Sequence, residues 1–303
     1  MLAKRGLFAG VFSGVLLAGM SSVWAAQYPD RPISLIEPYP PGSISDIGAR
    51  VLAQLLSKEL GQPVRVVDAT GANTAVGASK LQTGPAEGYA AFWDIISQLA
   101  YVLDSKELPY VADDFQAVGT VGGEAMAVIA RADDKRFPTV AALVQYAKAH
   151  PNALTVANGG PGLSETALND LDAAAHIQMK SIPYSGGSTI LTSLLGSHVD
   201  LAITAPSNAV QNPNLRVVMV LLKAKTYPPM PNVETAGSAG YDVDAPLLRA
   251  VFVKKGTPAP VIAVLTNALA TAVETPAWHD YAKRFSQSEA PSNPAQANAE
   301  LKK

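Results

Sequence analysis

Two segments lacking any Lys or Arg, Pro38-Tyr39-Pro40-Pro41-Gly42-Ser43-Ile44-Ser45-Asp46 and Thr70-Gly71-Ala72-Asn73-Thr74-Ala75-Val76-Gly77, each join an apolar strand-like run to a helix-like run. Hydroxyls, an amide and small residues at the mouth of a helix suit the holding of a small anion. The first turn of a helix leaves N–H groups without intrahelical partners and carries a partial positive charge. Two such turns aimed into one crevice hold a carboxylate without a cationic side chain. The same residue types cap helices, so Ser45 and Asp46 read either as caps or as ligand contacts, and Asn73 and Thr74 share that choice. Ser43 precedes the expected cap and is read as a ligand contact, with Ile44 beside it and Thr70 and Ala72 completing the second cradle. Tyr39, between prolines, either stacks on an apolar ligand body or covers the crevice.

The surrounding pattern alternates short β-rich runs with amphipathic helical runs, which predicts α/β layers with largely parallel strands. Ile33–Glu37 reads as a strand, followed by a helix from about Ser45 to Leu60. Ile47, Val51, Leu52, Leu55 and Leu56 recur there at helical spacing, and Gly61 ends it. Val64–Asp68, a helix from Ala75 to Leu81 and a strand from Gly88 to Asp94 complete a β-α-β-α-β start. Right-handed crossovers put every loop after a strand on one sheet edge, so the two cradles share a crevice.

Phe115 to Ala130 reads as a connecting stretch, after which a second series begins with a helix from Val140 to His150. Its Gly-rich loops are Asn158-Gly159-Gly160-Pro161-Gly162-Leu163-Ser164-Glu165-Thr166 and Tyr184-Ser185-Gly186-Gly187-Ser188. Asn158, Gly159, Leu163, Ser164, Thr166, Tyr184 and Ser185 are the candidates for a facing wall, the glycines alternatively serving only the turn. Trp93 reads as core or ligand platform, and Asp94 as a specificity element or a surface or hinge carboxylate. Late in the chain, Leu248 to Lys254 is a strand candidate, helices run on to Ala272 and Phe285, and the tail from Ser286 is only weakly helical.

The ends and composition narrow the function. Lys4 and Arg5, an apolar run from Gly6 to Met20 and Val23-Trp24-Ala25 read as an export signal, residues 1–25, cleaved after Ala25. The chain beyond Ala25 is long enough for two domains. The 23 basic residues are outnumbered by 25 acidic ones, no basic cluster stands out, and a nucleic-acid partner is not expected. The absence of Cys excludes disulfides and thiolate chemistry. The four His are isolated, so neither metal nor cofactor is expected, and no hydrolase elbow, Walker loop or dinucleotide fingerprint occurs.

Several pieces in order resemble the solute-binding proteins of the tripartite tricarboxylate transporter family, the Bug-type periplasmic receptors. They are Tyr28-Pro29-Asp30-Arg31-Pro32-Ile33, Pro38 to Asp46 with Ala49-Arg50-Val51-Leu52-Ala53, Leu60-Gly61-Gln62-Pro63-Val64, and Pro85-Ala86-Glu87-Gly88-Tyr89. Pro183-Tyr184-Ser185-Gly186-Gly187, Leu194-Leu195-Gly196-Ser197-His198-Val199-Asp200-Leu201 and Lys255-Gly256-Thr257-Pro258 continue the likeness. The resemblance implies a two-lobed periplasmic-binding-protein fold (type II-like), each lobe a mostly parallel sheet flanked by helices. Residues 26–124 with 250–303 would form one lobe and 125–249 the other, closing on a ligand by a hinge. It further implies a non-catalytic, monomeric periplasmic receptor that takes a small carboxylate and docks on a membrane permease or a sensor-kinase ectodomain.

Where relatives carry a glycine run before Thr-Asp, this chain has Gly42-Ser43-Ile44-Ser45-Asp46, and Ala72-Asn73-Thr74 fills positions that relatives leave small. A narrower pocket is expected. Trp93-Asp94-Ile95-Ile96-Ser97-Gln98 stands where relatives show small Gly and Ser residues, which makes the acid at Asp94 unusual. Relatives also continue about one helix beyond Lys303.

Overall fold

The computed structural model describes residues 28–105, 108–184, 186–210 and 212–302; the expected export signal and Ser185 lie outside them. Six strands form one sheet: β1 (Ile33–Glu37), β2 (Val64–Asp68), β3 (Ala90–Ile95), β4 (Phe115–Ala125), β10 (Pro246–Lys254) and β11 (Ser288–Ser292), in the order β11-β4-β10-β3-β1-β2. Five form the other: β5 (Ala127–Arg131), β6 (Thr155–Asn158), β7 (Lys180–Pro183), β8 (Leu201–Thr204) and β9 (Leu215–Val220), in the order β7-β6-β8-β5-β9. The expected parallel pairing holds within β2-β1-β3 and β7-β6-β8. The remaining pairs, made by β10 with β3 and β4, β11 with β4, and β5 with β8 and β9, are antiparallel, so each sheet is mixed.

Helices cover both faces of the first sheet. α1 (Ile44–Leu60), α7 (Ala259–Val273) and α8 (Pro276–Arg284) pack on one face around Leu35, Leu52, Trp93 and Trp278. On the other face, α2 (Ala75–Thr83), α3 (Ile96–Asp104) and α9 (Pro294–Leu301) pack around Ile36, Leu81, Phe92 and Leu99. Neighbouring residues of β3 thus serve opposite layers, Phe92 one and Trp93 the other, as the two-residue period of a strand requires. The second sheet is enclosed in the same way by α4 (Val140–Ala149) and α5 (Leu163–Ala175) against α6 (Gly187–Leu195).

Two expectations are corrected. Phe115 to Ala130 is no connector: it is β4 and β5, separated by Met126 alone, and it carries the chain from one sheet to the other. The return crossing runs alongside, Met126 N donating to Ala245 O at 2.9 Å and Leu221 N to Met126 O at 2.8 Å. The tail from Ser286 is ordered too. β11 pairs with β4, and Asn293 caps α9 through a reciprocal capping box with Gln296.

Candidate functional site

The strand ends carrying both cradles meet at one edge of the first sheet, as the crossover rule requires. Helix α1 begins one residue earlier than expected, and this changes the reading of Ser43. It is the N-cap itself, its Oγ accepting from Asp46 N at 3.2 Å, rather than a residue ahead of the cap. Asp46 accepts from Gly42 N at 2.8 Å through Oδ2 and pairs with Arg50 at 2.7 Å through Oδ1. Ser45 turns inward, donating to Glu37 Oε2 at 3.2 Å and accepting from Trp93 Nε1 at 3.0 Å. The first cradle is therefore braced from beneath by its own hydroxyls and carboxylates. Ile44 packs partly into the core below α1.

Tyr39 joins that bracing to β3. Its backbone N donates to Glu37 Oε1 at 2.9 Å, and its half-buried phenol donates to Asp94 Oδ1 at 2.9 Å. Asp94 is wholly buried, and the same Oδ1 accepts from Ile95 N at 2.8 Å at the mouth of α3. Burial, opposed by the Thr74 and Tyr39 hydroxyls, the Ile95 N–H and the Arg249 charge, still pushes its carboxyl up to about 7. Burial likewise pushes Glu37 up to about 8 against the donors from Tyr39 and Ser45. Of the two readings for Trp93 the core one describes its position: it is fully buried, edge-on to Trp278 at 6.4 Å between centroids.

The second cradle is a left-handed turn. Ala72, Asn73 and Thr74 all have positive φ (45°, 50° and 79°), a costly conformation for residues with a Cβ and one concentrated at functional loops. Thr70, Ala72 and Asn73 are exposed, whereas Thr74 is buried and gives α2 no side-chain cap. Gly77 lets α2 come down onto the sheet: a Cβ there would lie 2.7 Å from Phe92 Cε2 and 3.1 Å from Pro38 Cβ. Gly77→Ala is expected to cost about 1–3 kcal/mol in a denaturant melt and to weaken ligand affinity by displacing the α2 mouth.

Across the crevice, Asn158 is fully buried and its amide ties the loop to β7, Nδ2 donating to Ser181 Oγ at 2.8 Å and Oδ1 accepting from Gly160 N at 2.7 Å. Ser164 Oγ accepts from Gly159 N at 2.8 Å. Leu163 is half-buried and Thr166 exposed at the start of α5, and the Tyr184 phenol is hydrogen-bonded to Ser193 Oγ. The two walls touch at the rim, where the Tyr101 ring of α3 lies 3.6 Å from the point a Cβ on Gly162 would occupy. Helices α2, α5 and α6 all start without a side-chain cap, at Thr74, Gly162 and Gly186. No first turn among α1, α2, α3, α5 and α6 contains Lys or Arg.

Sequence reasoning missed a buried charged cluster beneath this site. Arg249 and Glu124 are 6% and 3% exposed and approach to 3.6 Å. Arg249 Nη1 also donates to Gln287 Oε1 at 3.1 Å, and Glu124 Oε2 accepts from Ser207 N at 3.1 Å, tying the end of β4 to a turn of the second unit. A charge inside an otherwise apolar strand, as in Pro246-Leu247-Leu248-Arg249-Ala250-Val251, was the available signal. Among the described residues no His, Asp or Glu group is arranged to hold a metal.

A family model described as "Tripartite tricarboxylate transporter family receptor" matches residues 48–301. Protein BugT of Bordetella pertussis is 32% identical over 289 residues, covering 91% of this chain and 85% of its own. A TctC solute-binding protein from Polaromonas, solved without ligand, superposes with a TM-score of 0.74 at 26% identity over 91% of this chain and 95% of its own. MatC of Rhodopseudomonas palustris, with bound malate, shares the fold at a TM-score of 0.75 and 22% identity, covering 91% and 96%.

Proposed function

The chain belongs to the tripartite tricarboxylate transporter receptor family, and from that premise we propose that it captures a small carboxylate between its two sheets and delivers it to a membrane transporter. The observation that carries this reading is the set of three helix mouths, α2, α5 and α6, that open without a side-chain cap and without a basic residue. At α2 the turn itself takes up two of the first N–H groups, Ala75 N donating to Ala72 O and Val76 N to Gly71 O at 3.5 Å, so there it is the partial positive charge of the helix start that suits a carboxylate, as it does at α5 and α6. Helix α1 supplies less of this, because Ser43 already occupies its Asp46 N–H. The exposed backbone of Ala72 and Asn73, with Thr70, Leu163, Thr166 and Tyr184 around it, is the contact surface we assign to the ligand, and Ser43, Ser45, Asp46, Asn158, Gly159 and Ser164 shape the loops behind it.

Malate in MatC and adipate in another R. palustris protein of this fold make dicarboxylates of four to six carbons the first candidates. We divide the chain into lobes of residues 26–124 with 250–303 and 125–249, with the paired crossings at Met126 and Ala245 as the hinge. Export is assigned to the signal at residues 1–25, which mass determination of the periplasmic protein tests directly.

A thermal-shift screen of dicarboxylates, aromatic acids, amino acids and neutral sugars checks the ligand class. A carboxylate at one hundred times its dissociation constant is expected to stabilise by about 2.7 kcal/mol and to be recovered unchanged. Shifts confined to neutral or cationic solutes would overturn the reading, and turnover of the ligand would replace a receptor with an enzyme.

A further inference from the structure

The Asp94 carboxyl is the point at which three segments of the first lobe converge. Tyr39 reaches it from the loop after β1, Ile95 N from the mouth of α3, and Thr74 from the turn before α2. The two oxygens are treated unequally. Oδ1 accepts two donors, at 2.9 and 2.8 Å, whereas Oδ2 has no hydrogen-bond donor although it is out of contact with water. Thr74 Oγ1 is also buried and unpartnered; it lies near enough to bias the carboxyl without the geometry of a hydrogen bond.

An ionised oxygen buried without a donor is costly, whereas a protonated Oδ2 leaves no unpaired charge and offers its hydrogen to Thr74 Oγ1 or to a ligand oxygen. The charged and titratable groups facing Asp94 are Glu37 on β1, Tyr39 after it, and Arg249 on β10. The first turns of α2 and α3 contribute no charge. Arg249 is already shared with Glu124. A carboxylate entering beside this set therefore adds negative charge to a floor that holds three acids and one guanidinium.

We propose that Asp94 is a positioning residue that fastens the first cradle to the mouth of α3, with Thr74 of the second cradle beside it, and enters the ligand complex as the neutral acid, so that capture of a carboxylate takes up one proton. The inference rests on the receptor reading above. Burial already places the free carboxyl near neutrality, at about 7, and an anion bound nearby raises it further. Alkaline conditions then oppose binding, because a proton must be recruited to a group that has lost it.

Calorimetric titration with malate and with adipate, in buffers of different ionisation heat, reads the proton count directly. Uptake approaching one proton per site is expected on the alkaline side, with affinity falling about tenfold per pH unit there. Asp94→Asn, which keeps an acceptor for Tyr39 and a donor for Thr74, is expected to bind with neither uptake nor slope. The wild-type count stands even if that variant folds poorly, and a protonated-carboxyl infrared band that appears on binding would corroborate it. Binding with no proton exchange overturns the inference, and so does a slope that survives Asp94→Asn. Proton release would mean that the complex favours ionised Asp94, as a malate hydroxyl donating to Oδ2 would, which also overturns it while leaving the receptor reading intact. If no carboxylate binds at any pH and another solute does, the carboxylate reading itself falls, and this inference with it.

Discussion

Replacing Arg249 with Leu is expected to lower the free energy of unfolding at neutral pH by about 3–5 kcal/mol, the usual consequence of removing one partner from a buried ion pair. The size comes from what remains. Glu124, Glu37 and Asp94 are all at most 3% exposed, and Arg249 is the cation that faces them. Leu fills much of the volume beside Trp278 and Tyr281 but leaves Glu124 buried without its cation and removes the charge that holds the Glu37 and Asp94 carboxyls down. The direct pair is long at 3.6 Å, and Arg249 Nε has no hydrogen-bond partner. The guanidinium therefore acts more through the charge of the whole cluster than through a two-pronged bond with Glu124. Two consequences separate this account from simple loss of packing. The deficit should grow as pH climbs through about 7 to 8, where Asp94 and Glu37 lose their protons and Arg249 is the cation that offsets them, and a second change, Glu124→Gln, should restore part of the stability. A loss below about 1 kcal/mol, unchanged with pH, would sink the cluster argument. Because Glu124 also holds Ser207 N, Arg249→Leu should loosen the link between the two units and weaken ligand affinity as well.

Much of this architecture was legible locally. Both cradles come after strands and precede helices as the apolar periodicity required, and Gly61 ends α1 at φ 64° as a left-handed stop. The first crossing between sheets was not legible. In Gln116-Ala117-Val118-Gly119-Thr120-Val121-Gly122-Gly123-Glu124-Ala125-Met126-Ala127-Val128 both faces are buried, so alternation vanishes, and no turn residue marks the change of sheet at Met126. β11 was hidden by Pro291, which an edge strand tolerates. Within the site, Ser43 and Ser45 have the composition of ligand contacts and of loop braces alike. Only the three-dimensional arrangement, in which Glu37 and Trp93 both reach Ser45, shows that its hydroxyl is spent internally. The pairing of Tyr39 with Asp94 is equally non-local, and it ties an isolated acid at a strand end to the first cradle.

Stability of the ligand-free protein is expected to fall as pH rises from about 5 to about 8, opposite to the behaviour of a protein held by salt-bridged carboxylates. Glu37 is raised from 4.5 to about 8 and Asp94 from 3.8 to about 7, both chiefly by burial. In this interval the folded chain keeps protons that the unfolded chain has released. The stability tied to them is complete below the unfolded values and is lost as pH climbs through the folded ones, at up to about 1.4 kcal/mol per pH unit for each group. Asp134 and Asp200 have the opposite sign: despite burial, their hydrogen bonds and the Arg136 charge hold them below the ordinary range. Their contribution is lost only in more acid solution and does not shape the window. Glu37→Gln and Asp94→Asn together should flatten the profile and leave the variant more stable than the parent above about pH 8, since both amides retain an acceptor for the Tyr39 donors. Denaturant midpoints at several pH values measure this, and a parent profile already flat between pH 5 and 8 would show that these acids ionise without cost. The same poise bears on capture. With the Glu37 and Asp94 carboxyls pushed up to about 8 and about 7, the floor carries less negative charge at neutral pH and lets a carboxylate approach helix mouths that carry no Lys or Arg, and ionisation of either acid at higher pH withdraws that permission.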